Sequence, residues 1–159
     1  MGSKSERYDS NVVQKLNYIH VMPVSVEIER GERANVPDSL VLTRMLAKEL
    51  ASRTTFRIVS SDTTPSSSPE VVHEEMGKVL SSGVVLFAHF VYTRSGLGER
   101  NAALTLKVSD PTTAKVMAYS SHDTFAGNSY FLPPSYEVIT TDAIKGAVDE
   151  LEKSVKKSK

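Results

Sequence analysis

The sequence predicts one α/β (α+β) domain with element order β-α-β-α-β-β-β-α, its helices packed on a single mixed sheet. Two helical periodicities separate the first three strand-like runs, and a helical crossover between strands implies parallel pairing. The later runs are joined by short turns instead, which implies an antiparallel meander. The chain has 159 residues, 40% of them apolar and none of them Cys. That suits one hydrophobic core built without disulfide or metal.

Residues 1–15 are polar and without period, and read as a flexible leader; 16–157 form the domain. From Leu16 to Ile28 apolar and polar residues largely alternate, and Tyr18 to Met22 is dense enough for a buried strand. Pro23 lacks the N–H a ladder needs and marks an edge, bulge or exit. Asp38 or Ser39 caps the first helix, whose apolar stripe is Leu42, Met45, Leu46 and Leu50. Thr55 to Val59 is a short β-branched strand. Ser68-Pro69-Glu70 is a helix start, with Val72, Met76, Val79 and Leu80 on the apolar side and Gly83 at the end. Val84 to Tyr92 is the most apolar stretch and is expected to be a central strand buried on both faces.

After Ser95-Gly96-Leu97-Gly98-Glu99 the chain turns back. Leu104, Leu106 and Val108 then alternate with polar residues. Asp110 to Ala114 is a turn, and Lys115 to Phe125 is a further strand that becomes polar at Ser120-Ser121-His122-Asp123. Thr140 or Thr141 is expected to cap the last helix, with Ile144, Val148, Leu151 and Val155 as its stripe. Phe87, Leu46 and Val148 are expected to be buried together.

Composition narrows the function. Nineteen basic and nineteen acidic residues cancel, which argues against nucleic acid or anionic lipid as partner. Without Cys there is no thiolate catalysis and no iron–sulfur ligation. No apolar run approaches the length of a spanning helix. His20, His73, His89 and His122 are not at metal-ligand spacing, although His20 and His89 lie on strands that could be neighbours. His122-Asp123 beside two serines lacks a nucleophile elbow, and adjacent strand residues point to opposite faces. Ser95-Gly96-Leu97-Gly98 lacks the Lys and the following helix of a phosphate loop. The sequence therefore predicts no catalytic residue, no metal and no cofactor.

One binding candidate stands out. Phe125, Tyr130, Phe131 and Tyr136 lie among Gly and Pro, and rings on an irregular segment suit a protein interface.

The order of these patterns resembles a group of bacterial envelope domains: the curli secretion protein CsgG and its relatives, the lipoprotein activators of penicillin-binding proteins, and the N-terminal domain of TolB. Val21-Met22-Pro23-Val24 is similar to the group's first strand end. Leu42 to Leu50 followed by Phe56-Arg57-Ile58-Val59 is similar to its first helix and second strand. Leu104 to Val116 carries its alternation, Asp and Thr turn, with Ala114 at the usual Gly. Ser82-Gly83-Val84-Val85 departs from the group's Ala-Asp-Tyr opening. The resemblance covers about residues 16–155 and omits CsgG's membrane hairpins. It implies a non-enzymatic periplasmic domain of an outer-membrane lipoprotein that binds another envelope protein or itself, as an accessory to assembly, secretion or cell-wall synthesis. Membrane contact would come only through a lipidated Cys preceding this sequence, since the opening Met1-Gly2-Ser3-Lys4-Ser5-Glu6-Arg7 looks like an added start. The alternative is a cytoplasmic small-molecule or nucleotide-binding enzyme subunit that uses the carboxyl ends of the parallel strands.

Overall fold

Seven strands form one mixed sheet in the computed structural model, which describes residues 3–9, 11–28, 36–61, 77, 79, 82–94, 100–126 and 136–156. The strands are β1 (Ser3–Arg7), β2 (Ile19–Val21), β3 (Ser25–Ile28), β4 (Ile58–Ser61), β5 (Val84–Arg94), β6 (Arg100–Ser109) and β7 (Val116–Ala126). The helices are α1 (Val12–Lys15), α2 (Ser39–Ala51) and α3 (Tyr136–Lys156). Strand order is β1-β7-β6-β5-β2-β4, with β3 also paired to β5. The pairs among β2, β3, β4 and β5 are parallel, and those among β5, β6, β7 and β1 are antiparallel. This is the mixed α/β sheet that the crossovers and the meander predict. The helix expected from Ser68 to Gly83 falls almost wholly outside the described residues, as does the turn at 95–99.

Pro23 divides what the alternation suggested as one strand into β2 and β3. From Ile19 to Ser25 the chain advances six residues while β5 advances five, from Val84 to His89, so one extra residue is absorbed around the proline. The gap is closed by α2: Thr43 Oγ1 accepts from the Val24 N–H at 2.9 Å, and Ser39 donates to the Val24 carbonyl at 2.6 Å. Asp38 caps α2 as expected, accepting from Val41 N–H at 2.9 Å.

Three expectations are corrected. Residues 3–7, read as leader, form β1, antiparallel to β7, and Val12 of α1 is fully buried. The strand is all polar, so hydrophobic periodicity had nothing to detect; the open edge of β7 supplies the pairing. The last helix starts at Tyr136, four residues before Thr140, and Thr140 lies inside it, bonded to Tyr92. Finally, β5 is not fully buried on both faces. Leu86, Ala88, Phe90 and Tyr92 are buried, whereas Phe87 is 44% exposed. Leu46 and Val148 are in the core as expected; Phe87 is not. A near-continuous apolar run hides which alternate set faces the helices.

The core lies between the sheet and α2 with α3. Across β6, Ala102, Leu104, Leu106 and Val108 are fully buried, and Leu42, Leu46 and Leu50 of α2 and Ile144, Val148, Leu151 and Val155 of α3 close over them. The polar stretch of β7 faces the same helix. Ser120 donates to the Ala147 carbonyl at 2.7 Å and Thr124 to that of Ile139 at 2.8 Å, so these hydroxyls are buried and satisfied. His122 packs on Gly146, where a Cβ would overlap its ring, and is held by Ser3 of β1. Small residues of α3, Ala143, Gly146 and Ala147, let the helix settle on this strand.

Candidate binding surface

On the face of the sheet that carries the exposed Phe87, strand register arranges the side chains of β1, β7, β6 and β5 in rows. One row runs Glu6, Tyr119, Lys107, Phe87 across β1, β7, β6 and β5. The next runs Lys4, Ser121, Thr105, His89 and Ser25, ending on β3. Tyr8, 54% exposed, stacks on Tyr119 with ring centroids 5.8 Å apart. His89 Nδ1 lies 3.0 Å from Ser25 Oγ. A shallow groove of about 340 Å³ is lined by Pro23, Ser25, Phe87, His89, Thr105 and Lys107. Exposed rings beside hydroxyls, an imidazole and an amine form a surface that offers apolar contact and hydrogen bonds together.

A second groove, of about 300 Å³, lies between α2 and α3, lined by Met45, Lys48, Glu49, Ser52, Thr141 and Ile144. The exposed Val41 and Val138 stand about one helical turn from Met45 and Thr141. Its far side is tied by ions: Arg53 bonds Glu49 at 3.1 Å, Asp149 and, at 3.4 Å, Glu152. The bond to Asp149 is the main reason the Arg53 pKa is raised, against partial desolvation.

The residues singled out from sequence are distributed differently. Tyr136 is buried, 1% exposed, edge-on to Tyr92 at 5.6 Å, with the Arg100 guanidinium 4.9 Å from its ring centroid. It is a core residue anchoring the start of α3. Tyr92, at its side, bonds Thr140 at 2.6 Å; burial pushes its hydroxyl pKa up to about 12, with that bond opposing. Phe125 lies on β7 opposite Asn101, and Tyr130 and Phe131 are outside the described residues. His20 and His89 are not brought together: His20 pairs with Val85, four residues before His89, a separation of about 13 Å along a strand. His122 and Asp123 take opposite faces, as adjacent strand residues must. His73 is outside the described residues. Among the described residues no group of three or more His, Asp or Glu is placed to hold a metal ion, and no helix among them is long and apolar enough to cross a membrane. The Phe87 row was missed because both alternate sets of β5 are rich in apolar and aromatic residues; the signal available was Lys107, a charge in the middle of β6's alternation.

The turn from β6 to β7 shows how the family-like segment is held. Asp110 accepts from the Thr112 hydroxyl at 2.7 Å and the Thr112 and Thr113 N–H groups at 2.8 and 3.1 Å, and it pairs with Lys15 at 3.2 Å. These bonds, the Thr112 hydroxyl first, hold its carboxyl well below the usual carboxylate range. Ala114, at the position where the resembling group has Gly, has φ of 61°, in the left-handed region.

No protein-family model matches the chain, and no curated protein matches it in sequence. Solved structures do. The PelC dodecamer from Paraburkholderia phytofirmans is 12% identical, with a TM-score of 0.60 over 95% of this chain and 98% of that one. The hypothetical protein CT253 from Chlamydia trachomatis is 16% identical, with a TM-score of 0.54 over 86% of this chain and 96% of that one. A neuraminyllactose-binding hemagglutinin homolog from Helicobacter pylori is 13% identical, with a TM-score of 0.50 over 96% and 92%. At these identities the shared property is the fold.

Proposed function

We propose that the chain is a non-enzymatic periplasmic domain of a bacterial outer-membrane lipoprotein, of the CsgG-like group, that binds another envelope protein or further copies of itself. The observation that carries this reading is the match to PelC, a protein that forms a dodecamer, over nearly the whole of both chains. The sequence resemblance supports it from an independent direction, through the strand end at Pro23 and the turn at Asp110 to Ala114. The face of the sheet that carries Phe87, Tyr119 and Tyr8 supplies a rigid surface with aromatic contacts for the task. The aromatic segment is a second proposed contact, with Phe125, Tyr130 and Phe131 as its candidate residues, while Tyr136 is buried and belongs to the core.

The test is expression of the gene with its native upstream region in a bacterial host. Metabolic labelling with palmitate, membrane fractionation and sedimentation of the purified domain are the readouts. Labelled protein in the outer-membrane fraction, with sedimentation above the monomer or co-purification of an envelope protein, is the expected result. Unlabelled protein in the cytoplasm would overturn the reading and favour the small-molecule-binding alternative.

A further inference from the structure

We infer that β1 is the pairing edge of a symmetric dimer, in which the β1 strands of two copies run antiparallel across a two-fold axis at Ser5 and join two sheets into one. This deepens the self-association half of the reading above and rests on it.

The strand is terminal in the sheet order, so one of its sides has no strand neighbour among the described residues. Which residues face that side follows from the ladder. Tyr8 N–H donates to the Met117 carbonyl at 2.8 Å, and Arg7 is in register with Ala118. In an antiparallel ladder the hydrogen-bonded positions alternate, so Tyr8, Glu6 and Lys4 bond inward to β7. The N–H and C=O of Ser5 therefore point away from the sheet, toward an incoming strand.

A second copy is the occupant that this edge fits. Antiparallel pairing centred on Ser5 makes Ser5 and its symmetry mate a hydrogen-bonded pair. It sets Lys4 opposite Glu6 of the second copy, and Glu6 opposite the second Lys4. These are non-hydrogen-bonded positions, where side chains come closest. Both side chains are exposed on the face that carries Phe87, and among the described residues no carboxylate of the same chain pairs with Lys4. A shift of one residue in either direction loses both opposite-charge pairs, so the charges select the register.

The geometry leaves room. The helix α3 packs chiefly on β7, with β6 and β1 on either side. In the dimer the two β7 strands are three strand spacings apart, about 14 Å. Packed helices need about 8–10 Å, so the two α3 helices clear one another. Pairing five-residue strands is a small contact, below about 1,200 Å², and the dimer is accordingly weak and concentration-dependent.

The chain contains no Cys, so an introduced one reports without background. Ser5→Cys places two thiols across a hydrogen-bonded pair, about 5.5 Å between Cα atoms, inside the disulfide range. Under mild oxidation it is expected to form a covalent dimer well before Asp142→Cys, a control on the exposed side of α3. By sedimentation, Lys4→Glu is expected to weaken dimerisation about tenfold, because it sets carboxylates opposite one another at two places. Lys4→Glu combined with Glu6→Lys restores opposite signs and is expected to recover the dimer. Circular dichroism of each variant separates dissociation from unfolding; if Lys4→Glu loses its fold, the cysteine comparison decides alone. Equal oxidation of the two cysteine variants, an unchanged dimer in Lys4→Glu, or no recovery in the double variant overturns the inference. A wild-type protein that is monomeric at every concentration overturns it too. Palmitate labelling or capture of an envelope protein would then still sustain the wider reading, and their absence would end both.

Discussion

Ala114 carries backbone strain at an identifiable point. A non-glycine residue in the left-handed region costs about 1–2 kcal/mol, and glycine loses about 0.5–1 kcal/mol of that advantage through its freer unfolded chain. Ala114→Gly should therefore stabilise the domain by about 0.5–1 kcal/mol, read as a higher urea midpoint at unchanged slope. Asp110, in the same turn, makes a pH-dependent contribution. Its folded pKa is depressed, so its stabilisation is present above the unfolded value of about 4 and is lost as pH falls below that toward the folded value. Asp110→Asn should be less stable than the parent at pH 7, with the difference narrowing at pH 3 in denaturant titrations. Gly146 is the third sensitive residue. A methyl group there meets the His122 ring, and Gly146→Ala should cost about 1–3 kcal/mol and loosen β1, since Ser3 bonds that ring. Hydrogen exchange at β1 would report the loosening; protection equal to the parent would show that the ring simply rotates aside.

At the scale of elements, the decisive feature is that α2 and α3 cover one face of the sheet. The two faces should respond differently to truncation. Leu46 is fully buried in α2, and Leu46→Ala should cost about 2–5 kcal/mol. Phe87→Ala, on the opposite face of the central strand, should cost less than about 1 kcal/mol despite removing a larger side chain. Thermal or urea unfolding of the pair checks the reading, and equal losses would mean that Phe87 is covered in solution. The contact between β7 and α3 rests on a different chemistry. Serine and threonine hydroxyls bond helix carbonyls there, beside alanine and glycine, and the hydroxyls replace apolar bulk with bonded, close-fitting contacts.

For the whole molecule, the proposed binding role predicts that small ligands and metal ions leave its stability unchanged. Thermal shift with zinc, magnesium, ATP and NAD should show no rise in midpoint. A specific ligand at a hundredfold excess over its dissociation constant would add about 2.7 kcal/mol, and a reproducible rise would return the cytoplasmic enzyme reading to first place. Much of the architecture was legible in the residues. The Asp38 cap, the stripes of α2 and α3, the alternation of β6 and the turn at Asp110 each carry a local signature, and their order implied parallel strands followed by a meander. The candidate surface was far less legible, because it consists of residues from four or five strands that meet only through register.

What the sequence by itself determined is the set of elements whose physics is local: helices with an apolar stripe and a cap, strands with a period of two, and turns with their own hydrogen bonds. What only the tertiary structure decided is whatever depends on a partner distant in sequence. Ser3–Arg7 has no apolar pattern and becomes a strand because β7 offers it a ladder. Phe87 and Phe90 are alike in type and lie in one apolar run, yet one is exposed and the other buried, because a pleated strand sends them to opposite faces and Phe90 lies on the face that α2 and α3 cover. Tyr136 looked like a surface ring among loop residues and is interior, because Tyr92 and Arg100, brought from two other strands, enclose it.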